Sequence, residues 1–391
     1  MFSLLLAVIY MSFISLGLPD SLLGSAWPVM QPTIGVPLSF AGIISMIIAG
    51  GTICSSLLSD RLTKKLGAGL VTALSVLTTA VALFGFSVSS GSFWTLCLWA
   101  IPYGFGAGAV DAALNNFVAL HYNSRQMNWL HCFWGVGAGI SPYVMSYCLT
   151  KNMGWSSGYR IVSILQIILT ALLFLSLPLW KKQKAALSDG RGDSRALKIS
   201  EVLRISGVKY ILAAFFGYCA LETTAGLWAS SFLVLGRGIN AETAAKYASL
   251  FYIGITVGRF LCGFISVKIG DRNMIRIGTG IIVLGLAAVW LPVRADWLSL
   301  YGLVIIGFGC APIYPSVIHA TPDNFGKENS QAVVGVQMAS AYVGSTFMPP
   351  LFGLIANHVG VGLYPAFLLI FAALMLLMTE RLNGLNLRRG A

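Results

Sequence analysis

Apolar stretches of about 20 residues recur along this chain, and that length is what an α-helix needs to cross a hydrocarbon core about 30 Å thick. A chain of 391 residues with 57% hydrophobic and only 10% charged residues has too little polar surface to stay dispersed in water. We therefore predict an all-α membrane protein with twelve transmembrane helices. The apolar segments lie near residues 4–31, 39–58, 68–88, 93–119, 129–150, 159–179, 208–235, 244–267, 274–293, 297–320, 330–356 and 361–379.

Basic residues collect on one side of this arrangement. If both termini are cytoplasmic, 19 of the 25 Lys and Arg residues lie in cytoplasmic segments and five, including Arg294, lie in outside segments. Because Lys and Arg near span ends favour the cytoplasm, we expect a multi-pass protein of the cell membrane, inner or plasma, with both termini cytoplasmic. The net charge of +12 then reflects topology and contact with the lipid bilayer. The sequence has no compact basic domain, so we expect no nucleic-acid partner.

The longest polar connection divides the chain into two parts of six spans each. We expect an N-terminal six-helix bundle at 1–180, a cytoplasmic linker at 181–207 and a C-terminal six-helix bundle at 208–391. The latter part of the linker could form an amphipathic helix on the membrane surface, since its apolar residues fall near one face.

The two parts also resemble each other in sequence. A shift of 207 residues places GTICSSLLSDR (51–61) on GRFLCGFISVK (258–268), and a shift of 203 places GFGA (104–107) on GFGC (307–310). Recurrence at nearly one offset predicts two pseudo-symmetric bundles related as parallel repeats. Repeats of this kind are typical of transporters, with a solute site near the membrane midplane lined by spans 1, 4, 7 and 10.

Four charged residues stand out well away from the ends of the apolar segments, where each ionised group costs about 2.5 to 3.5 kcal/mol. They are Asp20 in span 1, Asp111 in span 4, Glu222 in span 7 and Arg259 in span 8. The three carboxylates all fall in spans expected to line the cavity, so we predict that they take up and release protons or bind solute. Two structural alternatives remain open: a packing hydrogen bond between Asp111 and Asn115, and an ion pair between Glu222 and Arg259.

Aromatic and amide side chains near these carboxylates suit a sugar, since flat rings stack on its apolar face and amides bond its hydroxyls. The same aromatic residues also occur as ordinary packing residues in membranes. The predicted solute site comprises Asp20, Trp27, Gln31, Asn115, Asn116, Glu222, Trp228, Tyr252, Tyr314 and Gln337.

The segment SDRLTKKLG (59–67) is expected to be a tight cytoplasmic turn, where charged side chains remain in water at little energetic cost. Its charges therefore fit either a cytoplasmic gate or a solvated basic loop. We expect a gate formed by Asp60, Arg61 and Lys64, together with Arg259. The seven cysteines lie within spans as small apolar residues, and the four histidines are dispersed. We therefore expect no cofactor and no metal site.

Several segments resemble the major facilitator superfamily. SSLLSDRLTKKLG (55–67) resembles its loop signature GxxxDRxGRR, with Ser56 in place of the leading Gly. Within the superfamily, four segments resemble the fucose-galactose-glucose:proton symporter branch. These are MNWLHCFWGVGAGISP (127–142), YCALETTAGLWASSFLV (218–234), ASLFYIGITVGRFLCG (248–263) and GFGCAPIYPSVI (307–318).

The resemblance implies alternating access, with a sugar and a proton moving inward together. It assigns substrate or proton roles to Asp20 and Asp111, and it places Glu222 at the acidic position of span 7. The superfamily's span 4 arginine is absent, with Pro102 near its expected place. The span 5 efflux signature GxxxGPxxGG is also incomplete here, which argues against export.

We therefore predict a monomeric secondary active transporter that moves a sugar or similar small polar solute, by symport with a proton or with sodium. The same fold could instead serve a proton-coupled exporter of drugs or metabolites. A membrane enzyme or sensor would need a clustered nucleophile and base, a metal-ligand set or a soluble domain, and the sequence contains no such pattern.

Overall fold

A computed structural model describes residues 4–37, 39–89, 91–187, 195–291 and 296–390 of the chain. Within these ranges every regular element is a helix and no strand occurs. Residues 188–194, which belong to the linker expected at 181–207, lie outside the described residues, as does Arg294. The predicted all-α fold is confirmed.

The described chain contains sixteen α-helices, several of which are consecutive parts of one span. They are α1 (Leu4–Asp20), α2 (Leu22–Ile34), α3 (Phe40–Leu66), α4 (Ala68–Val88), α5 (Phe93–His121), α6 (Ser124–Thr150), α7 (Trp155–Leu187), α8 (Ile199–Val202), α9 (Val208–Ser231), α10 (Ala241–Ile269), α11 (Asp271–Trp290), α12 (Asp296–Cys310), α13 (Ile313–His319), α14 (Thr321–Phe325), α15 (Ser330–His358) and α16 (Tyr364–Gly390). A π-helix at Phe232–Gly236 continues α9, and a 3-10 turn at Val361–Leu363 precedes α16.

Eleven helical stretches of the described chain are long and apolar enough to cross a membrane, and α1 and α2 together form the first, Leu4–Ile34. The remaining expected span corresponds to α6. Its 27 residues would extend about 40 Å at 1.5 Å per residue, which is long enough to cross. Its first two turns contain Arg125, Asn128 and His131, so its N-terminal part is polar.

A proline interrupts the hydrogen bonding of the first span, and a side chain distant in sequence replaces the lost hydrogen bond. Pro19 has no N–H, so the Ser15 carbonyl one turn earlier loses its helical donor. The Gln166 side-chain amide donates to that carbonyl instead, at 2.8 Å. Because an unsatisfied carbonyl is costly inside a bilayer, this bond makes the break between α1 and α2 tolerable.

Two further freed carbonyls are satisfied in the same way. Pro142 leaves the Ala138 carbonyl of α6 without its helical donor, and the Ser21 hydroxyl donates to it at 2.6 Å. The Cys310 carbonyl at the end of α12 accepts from the Tyr218 hydroxyl of α9 at 3.0 Å. In all three cases a side chain distant in sequence donates to the freed carbonyl.

The chain forms two compact units, and most contacts between backbone segments lie within one unit or the other. The first comprises Met1–Phe117 and Leu130–Ile199, and the second comprises Val118–Trp129 and Ser200–Ala391. In the first unit α4 packs along α7, and in the second unit α9 packs along α15 and α16 while α11 packs along α12. The turn between α5 and α6 thus packs as part of the second unit.

Candidate functional site

Asp20 is an exposed carboxylate in the middle of the first span. It is the last residue of α1, directly after Pro19 and before the turn at Ser21. The indole N–H of Trp134, on α6, donates to its Oδ2 at 2.9 Å. Among the described residues no basic side chain forms a salt bridge with Asp20. The carboxylate therefore has a neutral hydrogen-bond donor and an uncompensated charge.

Two glycines allow α1 and α6 to approach closely enough for this bond. A Cβ on Gly17 would collide with the Trp134 carbonyl, and a Cβ on Gly137 would collide with the Ile14 carbonyl. Small residues permit such backbone contact between membrane helices. The position of Trp134 beside Asp20 thus depends on the absence of a side chain at both positions.

Asp111 lies in a buried polar chain of the first unit. The Asn115 amide nitrogen donates to Asp111 Oδ1 at 2.8 Å, and the Asn115 amide oxygen lies 3.0 Å from His131 Nε2. Since Asn115 donates to the carboxylate, its oxygen accepts and His131 carries a proton on Nε2. Asn116, the next residue, is also buried. The hydrogen bond between Asp111 and Asn115 that the sequence left open is present, and His131 extends it.

Glu222 and Arg259 form an ion pair in the second unit, with Arg259 Nη2 3.2 Å from Glu222 Oε1. Arg259 is 3% exposed. Its guanidinium carbon also lies 6.0 Å from the centre of the Tyr314 ring, which is a cation–π distance. The pair that the sequence suggested is therefore present, and an aromatic ring borders it.

Tyr252 lies beside the same helix turn. Its hydroxyl fills the space that a Cβ on Gly226 would occupy, one turn after Glu222 on α9. Its side chain is 51% exposed, so much of the ring is available for contact. Trp228 is turned elsewhere, since its indole N–H donates to the Pro349 carbonyl at 3.0 Å.

Three other expected solute-site residues contact groups outside these carboxylate pairs. Trp27 is buried in an apolar cluster of the first unit that includes Leu22 and Tyr159. Gln31 closes the end of α2 by donating to the Val36 carbonyl at 2.8 Å. Gln337 is fully buried and accepts from the Thr321 hydroxyl at 2.9 Å.

Asp60 lies in the basic last turns of α3, because the segment expected as a turn at 59–67 is helical as far as Leu66. Its carboxylate is 3.1 Å from Lys64 Nζ and accepts from the Leu197 backbone N–H at 3.0 Å. Lys64 also donates to the Arg195 carbonyl at 2.9 Å, whereas Arg61 is exposed. Asp60 and Lys64 therefore attach residues 195–197 to the end of α3, while Arg259 pairs with Glu222.

Three contacts at these clusters were not expected from the sequence: Trp134 with Asp20, His131 with Asn115, and Gln166 with the Ser15 carbonyl. Pro19 gave a signal for the last, because a proline inside a span always frees a carbonyl. For Trp134 and His131 the only signal was their place near the polar first half of α6.

Comparison with known proteins identifies the family. The sequence pattern of the Major Facilitator Superfamily matches residues 9–329 and 247–382. The glucose/mannose transporter GlcP of Bacillus subtilis is 22% identical over 356 residues, covering 89% of this chain and 87% of GlcP. Bypass of stop codon protein 6 of Saccharomyces cerevisiae is 23% identical over 399 residues, covering 93% of this chain and 79% of that protein.

Solved structures show the same fold. The fucose:proton symporter FucP of E. coli superimposes with a TM-score of 0.74 and 17% identity, covering 96% of this chain and 98% of FucP. The proton:xylose symporter XylE gives a TM-score of 0.78 at 10% identity, covering 96% of this chain and 94% of XylE. The chain therefore belongs to the Major Facilitator Superfamily and is a multi-pass membrane transporter.

Proposed function

We propose that this transporter moves a sugar or similar small polar solute by alternating access, in symport with a proton. The observation that carries the proposal is the exposed Asp20 carboxylate in the middle of the first span, bonded to the neutral indole of Trp134. An ionised group inside a membrane span is energetically costly, and such residues mark solute or proton pathways.

Asp20 is the best placed of the three carboxylates to carry the proton. Glu222 already has its charge balanced by Arg259, and Asp111 is buried against Asn115. Asp20 has no basic partner among the described residues, so binding a proton removes an uncompensated charge. We propose that protonation of Asp20 lowers the free energy of the occluded state, in which the solute site is closed to both sides. Asp111, in the same bundle, has a secondary role in proton coupling.

The chemistry around Glu222 favours a polyhydroxy solute. A carboxylate accepts hydrogen bonds from hydroxyls, and the half-exposed Tyr252 ring beside it offers an apolar face. Tyr314 lies on the other side of the same ion pair. The names of GlcP, FucP and XylE all describe sugar transport, which supports this class of solute. We assign solute binding to Glu222, Tyr252 and Tyr314, with Arg259 positioning Glu222.

We further propose that the protein lies in the cell membrane with both termini cytoplasmic. The support is the excess of basic residues in the segments assigned to that side. Labelling of single cysteines introduced at Arg61 and Lys246 in intact cells would test this. Reaction from outside only at position 246 is expected, and the reverse pattern would contradict the orientation.

Purified protein in proteoliposomes would test solute and coupling together. Uptake of labelled glucose, fucose and xylose should be faster with an acidic exterior, and Asp20→Asn should remove this stimulation while leaving sugar counterflow. Glu222→Gln should weaken sugar binding and counterflow. Glu328→Gln, at an exposed carboxylate in the turn before α15, is the matched control and should change neither. If the unaltered protein exchanges no sugar, the solute assignment fails; if the pH gradient has no effect, proton coupling fails.

A further inference from the structure

His319 joins two parts of the second unit through both of its ring nitrogens. It is the last residue of α13, and its Nδ1 lies 2.6 Å from Oδ2 of Asp271, the first residue of α11. Its Nε2 lies 3.3 Å from the backbone carbonyl of Tyr122, in the turn between α5 and α6. None of the transport roles above uses His319.

Both partners of His319 are hydrogen-bond acceptors. A backbone carbonyl and an ionised carboxylate have no proton to give, whereas a neutral imidazole carries only one N–H. Asp271 occupies the first turn of α11, where the helix dipole favours the ionised carboxylate. Both bonds therefore form together only when His319 carries a proton on each nitrogen.

The segment of residues 118–129 comprises this turn and the adjoining ends of α5 and α6. It contacts the rest of the second unit at two other points. Arg125 Nε donates to the Gly263 carbonyl at 3.2 Å, and the Trp129 indole donates to the Phe260 carbonyl at 3.3 Å. Gly263 leaves room for the Trp129 ring, because a Cβ there would collide with it. Of these three attachments, only the one at His319 depends on a group that titrates near neutral pH.

We propose that His319 is a proton-binding site that fastens the turn of residues 118–129 when protonated and releases its hold on Tyr122 when deprotonated. The acidic groups that act on the imidazole are Asp271 and Asp323, and His121 is the other titratable group beside Tyr122. The side chains of His319 and Asp271 are 17% and 13% exposed, so water can reach the pair.

The consequence for transport concerns timing rather than solute choice. Alternating access requires helix ends to separate and rejoin once in each cycle. A proton at His319 favours the state in which the 118–129 turn is attached, so alkaline solution at this position favours release. This inference goes beyond the proposed function, because it applies whichever solute the protein carries and whether or not its flux is proton-coupled.

Imidazole NMR would test the protonation state directly, because the chain has only four histidines. In protein labelled with ¹⁵N-histidine, the signal lost in His319→Gln should show both nitrogens protonated at about pH 7, where a free histidine is mostly neutral. In Asp271→Asn that state should disappear at lower pH. A His319 signal that is neutral at about pH 6.5 in the unaltered protein would overturn the proposal.

Hydrogen exchange would test the attachment of the turn. After correction for intrinsic rates, amides of residues 118–129 should exchange about tenfold faster at about pH 8 than at about pH 6, as expected for loss of one hydrogen bond to a charged group. His319→Gln should abolish this difference. His358→Gln is the matched control, since His358 is exposed and bonds only its own helix at the Leu354 carbonyl in the described structure.

Two outcomes of the exchange experiment would overturn the proposal. One is an equal exchange rate at both pH values in the unaltered protein, and the other is an undiminished pH difference in His319→Gln. If His319→Gln does not fold, Asp271→Asn supplies the second variant, and its pH-dependent step must then move to lower pH. A step that stays in place would contradict the role of the ion pair.

Discussion

Arg259 on α10 reaches the Glu222 carboxylate on α9 at 3.2 Å, and the two side chains are 4% and 18% exposed. Removing one partner of such a pair leaves the other charge buried and uncompensated, which costs about 3 to 5 kcal/mol. We therefore expect Glu222→Gln and Arg259→Gln each to lower the melting temperature in detergent. The double variant should be less destabilised than the sum, with a coupling of about 1 to 3 kcal/mol.

The coupling can be separated from general damage to the bundle. Arg276 and Glu380 form a second ion pair in the same unit, with Nη2 2.7 Å from Oε2, but their side chains are 50% and 38% exposed. Solvent screens exposed pairs, which contribute little to stability, so the same cycle at Arg276 and Glu380 should give a much smaller coupling. Equal couplings at the two pairs would contradict the importance of burial.

Trp134→Phe should change the pH dependence of uptake while keeping an aromatic ring beside Asp20. The indole N–H stabilises the ionised carboxylate, so its loss lets Asp20 keep its proton to higher pH. The pH at which uptake falls to half should rise by about half to one unit. Uptake across a pH series in proteoliposomes measures this.

The control for Trp134→Phe is Trp228→Phe, which loses an indole bond to the Pro349 backbone carbonyl, a group that does not titrate. Its midpoint should stay in place. A profile for Trp134→Phe that matches the unaltered protein, with uptake intact, would show that Asp20 does not set the pH dependence.

Asp60→Ala should release residues 195–198 of the linker from the end of α3. The Asp60 carboxylate accepts from the Leu197 N–H, and its loss leaves that donor without this partner. Since loss of a hydrogen bond to a charged acceptor costs about 1.5 to 3 kcal/mol, trypsin should cut at Arg195 or Lys198 about tenfold faster. Asp60→Asn keeps an acceptor oxygen and should be cut less readily than Asp60→Ala. Identical cleavage of both variants and the unaltered protein would contradict this attachment.

The fold and the charged members of the site could be predicted because both depend on local sequence. Apolar runs of span length specify membrane helices, and an ionised residue inside such a run is conspicuous. The bond from Asn115 to Asp111 is also local, four residues along one helix. These features need no knowledge of how distant helices meet.

The partner of Asp20 could not be predicted because it depends on distant packing. Trp134 lies 114 residues away in sequence, and its approach requires the contact of Gly17 with α6. In one continuous helix, Trp27 would share a face with Asp20 seven residues earlier. The turn at Ser21 separates α1 from α2 and interrupts that spacing. Trp27 instead packs in the apolar cluster with Leu22.

Gly137→Ala should destabilise the first unit and weaken the contact between Trp134 and Asp20. A Cβ at Gly137 would meet the Ile14 backbone carbonyl, which has no freedom to move aside as a flexible side chain would. Overpacking of this kind costs about 1 to 3 kcal/mol, and separation of α1 from α6 should also raise the half-maximal pH of uptake, as in Trp134→Phe. Gly139→Ala on the same helix has nothing within 4 Å of its new Cβ and should be neutral or slightly stabilising. Melting curves and pH profiles of the two variants measure both effects, and equal behaviour of Gly137→Ala and Gly139→Ala would mean that close approach of the backbones does not position Trp134.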